Sequence, residues 1–441
     1  MIWTEADQDL LLRLLRMPTA GPLEPGHGPA PALREAQLAY ARAAAALGLR
    51  VVRHAPASAA DIAGEVTPLA VRRAAAAVPG FLASQPSLVL RLGPPLPPAA
   101  TVMFNVHLDT VAGGPPPAAA RGRITGRGAI DAKGPAVALL AGVRAAIAAR
   151  PALGTSVGVL IQAVSGEEGG AMGSIGTRPL VRLGYTGRLN LFCEPTGLRY
   201  LPRATAAATA RVCVQGRDSV DDRPGQGHNA TVLLGFVAQH LAGELSRATG
   251  RERRGDHACL AGLSTGLTHN KVYGSGQLLV NLPYAHAAEG ARAERALEDA
   301  VRSGLELFVR RFAPLEEYAL TATDAAAITR VEWLKRGLPT LASSADPEME
   351  TVLTGADLAR WPDDEPAFTC DAIWMDGVPD AYTAVFGPGD LAANQAHAPG
   401  EFASVSELDE FAAGICRILL GFTAHRMRKQ GIDRNGARCL S

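Results

Sequence analysis

Asn105-Val106-His107-Leu108-Asp109-Thr110 ends an apolar run, TVMFNV, with an imidazole and a carboxylate two positions apart. Strand periodicity puts both on one face. There Asp109 is placed to take the second ring N–H of His107, as carboxylates do behind metal-bound imidazoles. Alone, His-x-Asp serves structure as readily as chemistry. Gly126-Arg127-Gly128-Ala129-Ile130-Asp131-Ala132-Lys133-Gly134 stands ahead of a helical stretch, with glycines that let backbone come close to a ligand. It lacks the Walker spacing, and Asp131 at its centre would repel phosphate, so a carboxylate bridging two cations is the better reading. Ser165-Gly166-Glu167-Glu168-Gly169-Gly170 follows the apolar run VGVLIQAV. Adjacent side chains diverge, so one acid can bind a metal while the other faces a substrate. Paired acids are usually solvated surface, but the apolar strand before these and the glycines after them argue otherwise. Glu194, in Leu191-Phe192-Cys193-Glu194-Pro195-Thr196-Gly197, follows another apolar run, and Gly387-Pro388-Gly389 precedes Ala396-His397-Ala398-Pro399. Two imidazoles and several carboxylates at strand ends make the mixed N/O donor set of zinc or a similar divalent metal.

These residues need elements to hold them. From residue 88 to about 197, SLVLRLG, TVMFNVHLD, a helix over 136–149, SVGVLIQAVSG and LNLFCE alternate as strands and helices. That alternation predicts an α/β fold with a largely parallel sheet covered by helices, whose ligand sites form at the carboxyl ends of the strands. Between about 201 and 330 the pattern becomes ARVCVQG, a helix from 228 to about 248, GSGQLLVNLPY, a charged helix over 289–312 and a closing LTAT run. This reads as a smaller inserted α+β domain of βαββαβ order, with the strand 277–284 a candidate edge. YTAVFGPG and a helix over 405–422 then return to the first pattern. The expected division is therefore a discontinuous catalytic domain, 1–200 and 331–441, with an insertion over 201–330. A chain of 441 residues exceeds what one core usually serves.

With 43 basic and 43 acidic residues the chain carries no net field, which argues against nucleic acid and anionic membranes as partners. The longest apolar run, around 136–148, contains Arg144 and falls short of the ~20 residues of a membrane span. The start, MIWTEADQDLLLRLLRMPT, has no basic leader and reads as an amphipathic helix, so the expected location is the cytoplasm. Cys193, Cys213, Cys259, Cys370, Cys416 and Cys439 form no CxxC pair and read as free thiols.

Over about 80–425 these segments resemble, in order and spacing, the motifs of the co-catalytic zinc peptidases of peptidase family M-twenty, which includes acetylornithine deacetylase, succinyl-diaminopimelate desuccinylase, aminoacylase and glutamate carboxypeptidase. The resemblance implies two divalent ions per chain, zinc with cobalt or manganese as alternatives. His107 and Glu194 would bind one, Glu168 and His397 the other, and Asp131 would bridge them. Asp109 would orient His107 and Glu167 would be the general base. Gly387, Pro388 and Gly389 resemble the family's substrate loop, and Thr369-Cys370-Asp371-Ala372 its Thr-Asp-Ala stretch. The implied reaction is hydrolysis of a small amide, an N-acyl amino acid or dipeptide, by metal-activated water. The insertion would act as lid and homodimer interface. The family commonly has a histidine near the start of that insertion, reaching a neighbouring subunit's site; Asp218-Ser219-Val220-Asp221-Asp222-Arg223-Pro224 has none. His228 and His269 are the candidate replacements. The family's strand arginine is also missing from Leu279-Val280-Asn281-Leu282-Pro283-Tyr284, and Arg223, with Arg217 or Lys271, is the candidate to take over. The alternatives are a silent relative that binds metal or ligand, or an amide-forming, acyl-transferring enzyme on the same fold. The complete ligand set with Glu167 argues against the silent relative, and no residue distinguishes amide formation from hydrolysis.

Overall fold

The apolar runs pair into a six-stranded sheet in the computed structural model, which describes residues 1–24, 32–150, 153–248 and 257–429. Across the sheet the order is Leu49–Ala55, Ser87–Leu92, Gly158–Val164, Thr101–His107, Leu189–Phe192, Tyr382–Val385. The last four run parallel, and the first two add antiparallel at one edge. Every residue of those four parallel strands is buried. Strands covered on both faces can be apolar throughout, which is why these runs show no alternation in the sequence.

The helix Lys133–Ala149 is buried almost all round and packs against Val405–Lys429. At Gly142 a Cβ would lie 2.5 Å from the Ala412 carbonyl oxygen and 2.7 Å from Ile415 Cβ, so this approach needs glycine. The first helix, Glu5–Leu15, starts with a reciprocal capping box between Thr4 and Asp7. The Asp7 carboxylate also accepts two hydrogen bonds from Arg144, each 2.7 Å, which ties the first helix to Lys133–Ala149.

The chain splits into two compact units, one of Met1–Ala204 with Leu341–Ser441 and one of Thr205–Thr340. The second has a four-stranded antiparallel sheet in the order Cys259–Ser264, Ser275–Tyr284, Ala206–Gln215, Thr329–Lys335. Here the strands do alternate: Ala206, Ala208, Ala210 and Val212 are buried, as are Leu278, Val280, Leu282 and Tyr284 across from them. The helices Ala230–Ala248 and Ala287–Phe312 pack together through Phe236, Phe308 and Phe312, with ring centroids 4.4 to 5.7 Å apart.

Two expectations are corrected here. The strand over 277–284 is not an edge, because it pairs with Ala206–Gln215 on one side and Cys259–Ser264 on the other. The LTAT run is not a strand. It lies in the helix Ala319–Ile328, whose alanine-rich sequence favours helix, and the closing strand begins at Thr329. Cys193, Cys213, Cys259, Cys370 and Cys416 are free, while Cys439 lies outside the described residues. Among the described residues no helix is long and apolar enough to cross a membrane.

Candidate active site

Strand register assembles the site. His107 pairs with Val164, and Asn105 with Phe192. The segments that continue these strands, Ser165 to Glu168 and Cys193 to Glu194, therefore leave the sheet at the level of His107. His107 is fully buried, with Nε2 2.8 Å from Asp131 Oδ1 and 3.7 Å from Glu194 Oε1. Asp131 turns its other oxygen to His397, whose Nε2 is 2.9 Å from Oδ2 and 3.0 Å from Glu168 Oε1. One carboxylate thus lies between two imidazoles, and each imidazole has a second carboxylate beside it. Donor atoms of His107, Asp131 and Glu168 all fall within 4.8 Å of one another.

So many acids in one buried place need positive charge. Burial pushes the Glu167 and Glu194 carboxyls well above their ordinary range, and neighbouring carboxylates add to the shift. Asp371 is pushed up to about 7, again chiefly by burial. The imidazoles respond in kind: hydrogen bonds to Asp131 and Glu168 raise His397 to about 10. Burial works against protonation of His107, yet Glu194 and Asp131 outweigh it and raise its pKa. A mixed set of imidazole nitrogens and carboxylate oxygens around a shared acid fits two divalent cations such as zinc.

The supports are built from backbone as much as from side chains. His107 Nδ1 lies 2.9 Å from the Asp109 backbone carbonyl and 3.9 Å from its carboxylate, so the main chain is the nearer partner that fixes the ring. Asp109 Oδ2 accepts instead from the Glu168 amide at 3.2 Å, joining the two motifs. Asp371 Oδ2 accepts from Thr177 at 2.5 Å, and a Cβ at Gly173 would fall 2.2 Å from its other oxygen. Asp371 therefore closes against the turn that carries Glu167. The loop Gly387 to Gly389 lies against the Glu194 strand end, where a Cβ at Gly387 would be 2.3 Å from the Glu194 carbonyl oxygen.

Glu401 has no counterpart in the sequence reading. It is fully buried, pairs with Arg127, and accepts from the amides of Gly128, Ile130 and Asp131 at 3.0, 3.1 and 3.3 Å. It thereby fixes the glycine-rich loop that presents Asp131. Its one sequence signal is an acid four residues after His397, which no periodicity marks. Lys133 Nζ donates to the carbonyls of Leu14 and Met17 at 3.1 and 3.0 Å, and burial pushes its pKa down to about 7.

In the unit Thr205–Thr340 the candidates part ways. His228 is a correction: its Nδ1 accepts from the Arg217 amide at 2.7 Å and its Nε2 lies 3.0 Å from Asp324, which leaves no ring nitrogen for a substrate. Lys271 is paired with Asp218 at 2.6 Å. His269 and Arg223 are exposed.

The sequence model of peptidase family M20/M25/M40 matches residues 103–421. Among solved structures, aminopeptidase PepT from Bacillus cereus ATCC 10987 superposes with a TM-score of 0.66 at 16% identity, covering 96% of this chain and 100% of that one. The metallo-carboxypeptidase Sso-CP2 from Sulfolobus solfataricus gives 0.68 at 12% identity, with 96% and 100% covered. The YXEP protein of Bacillus subtilis, described as a dinuclear metal binding peptidase, gives 0.57 at 10% identity, with 95% and 99% covered. No curated protein matches the chain.

Proposed function

The chain belongs to peptidase family M20/M25/M40 and is a hydrolase of amide bonds; from that premise we propose that it cleaves a small N-acyl amino acid, dipeptide or related amide with two zinc ions and Glu167 as general base. The observation that carries this reading is Asp131, whose two oxygens face His107 and His397 separately while Glu194 and Glu168 stand beside those imidazoles. His107 and Glu194 would hold one ion, Glu168 and His397 the other, and Asp131 both. Cobalt or manganese would suit the same donors. When bound, the ions polarise the attacking water and the scissile carbonyl.

Glu167 takes the proton of that water on a carboxylate oxygen and delivers it to the leaving nitrogen. Asp109 holds His107 and the Glu168 peptide in place for this, and Glu401 holds the Asp131 loop. The Gly387 to Gly389 loop is the proposed substrate rest. Of the two lid histidines considered, His269 keeps an exposed ring to donate to the developing oxyanion. We assign residues 205–340 to a lid and homodimer interface, which light scattering at micromolar concentration tests. The free thiols among the described residues suit the cytoplasm. The test of the mechanism is Glu167→Gln: turnover of an N-acyl amino acid and dipeptide panel should fall roughly 10²- to 10⁴-fold with metal content unchanged. Near-normal turnover would remove Glu167 from the role of base.

A further inference from the structure

One cavity has no part in the proposed hydrolysis. It measures about 190 Å³ and lies between residues 15–20 and the glycine-rich loop, with Leu15, Met17, Val111, Pro115, Thr19 and Lys133 in its wall. Lys133 and Thr19 are each 1% exposed. An ammonium has three protons to donate. Lys133 gives two of them to the backbone carbonyls of Leu14 and Met17, and the carboxylates of Glu401 and Asp109 attract it without a direct ion pair among the described residues. Thr19 Oγ1 is buried with no partner at all. Two further cations stand in the wall: Arg127, already spent on Glu401 and on the carbonyls of Gly113 and Ala398, and the exposed Arg16.

An ammonium proton without an acceptor and a buried hydroxyl without a partner are both costly. A small anion with two acceptor oxygens would meet both donors, and an apolar end would suit Leu15, Met17, Val111 and Pro115 in the wall. We infer that this cavity binds a short-chain aliphatic monocarboxylate, with Lys133 Nζ and Thr19 Oγ1 donating to its oxygens and its alkyl group against Leu15, Met17, Val111 and Pro115. The cavity wall also includes Thr110, next in the chain to Asp109, and Lys133 follows Asp131 by two residues. A carboxylate there cross-links the first helix's end to the loops that carry the metal-site residues, and so steadies them.

The test is calorimetric titration of the metal-loaded protein with acetate at fixed pH and ionic strength, with a thermal melt alongside. Saturable binding and a raised melting midpoint are expected. Thr19→Val should weaken that binding roughly tenfold or more and leave turnover without acetate unchanged. Acetate held at the metal centre instead would bind the variant as tightly and compete with substrate, which would overturn the proposal, as would the absence of saturable binding. Should the variant not fold, wild-type crystals soaked in acetate decide: a carboxylate bridging Lys133 and Thr19 supports the site, and ordered water alone in the cavity sinks it.

Discussion

The strand ends of the first unit and the surface of the inserted one carry polar residues under opposite conditions. Around His107 the acids and imidazoles join in one lattice, buried except at the half-exposed His397; Asp131 links two other segments, and Asp109 and Glu401 each tie their own segment to another. In Thr205–Thr340, His228 and Lys271 are occupied within their own unit while His269 and Arg223 face solvent. Interlocking makes the first region's chemistry rigid and its losses large. Independence makes the expected effects of substitutions in the second small.

Asp131→Ala should break that contrast hardest. Removing the shared carboxylate is expected to abolish turnover and to drop metal content below one ion per chain, read by elemental analysis; two retained ions would contradict its bridging place. Glu401→Gln keeps the shape but weakens the hold on three amides and on Arg127. Supporting residues of metal sites typically cost 10- to 100-fold in activity or affinity, and a loss of that order is expected here in kcat or metal affinity. An unchanged enzyme would mean that the glycine-rich loop holds itself.

These two residues also mark what the sequence made legible. Asp131 stood out because glycines and a helical run framed it, and His107, Glu167, Glu168 and Glu194 because each followed an apolar run that could hardly be other than a buried strand. Glu401 carried no such frame: its partners are backbone amides some 270 residues away, and amides have no signature. The same blindness hid the Asp109 carbonyl behind His107. In the inserted unit, LTAT was misread because β-branched residues weighed more than the alanines around them, and 277–284 because an apolar strand does not say how many neighbours it has. His228 looked available for as long as its two partners, Arg217 and Asp324, were invisible.

His228→Ala sharpens the comparison from the other side. Losing two hydrogen bonds in a nearly buried place should cost about 1–3 kcal/mol of stability while kcat stays within a few-fold of wild type. A large loss of kcat in a fully folded variant would return this histidine to the chemistry. The smallest effect belongs to Asp7. Burial alone would raise its carboxyl, but hydrogen bonds from Arg144 and Thr4 outweigh burial and leave it below its ordinary 3.8. A group depressed in the folded state stabilises above its unfolded pKa, and that contribution fades as pH falls through the folded value. Asp7→Asn should therefore cost about 1 kcal/mol near neutral pH, with the difference from wild type shrinking below pH 4 in denaturant titrations. A difference that stays constant with pH would assign the loss to packing.

Metal stoichiometry tests the central claim most directly. Protein prepared without chelator and measured by elemental analysis should carry about two divalent ions per chain, as expected of a co-catalytic pair. A single ion per chain, or none after zinc, cobalt and manganese have each been offered, would contradict it.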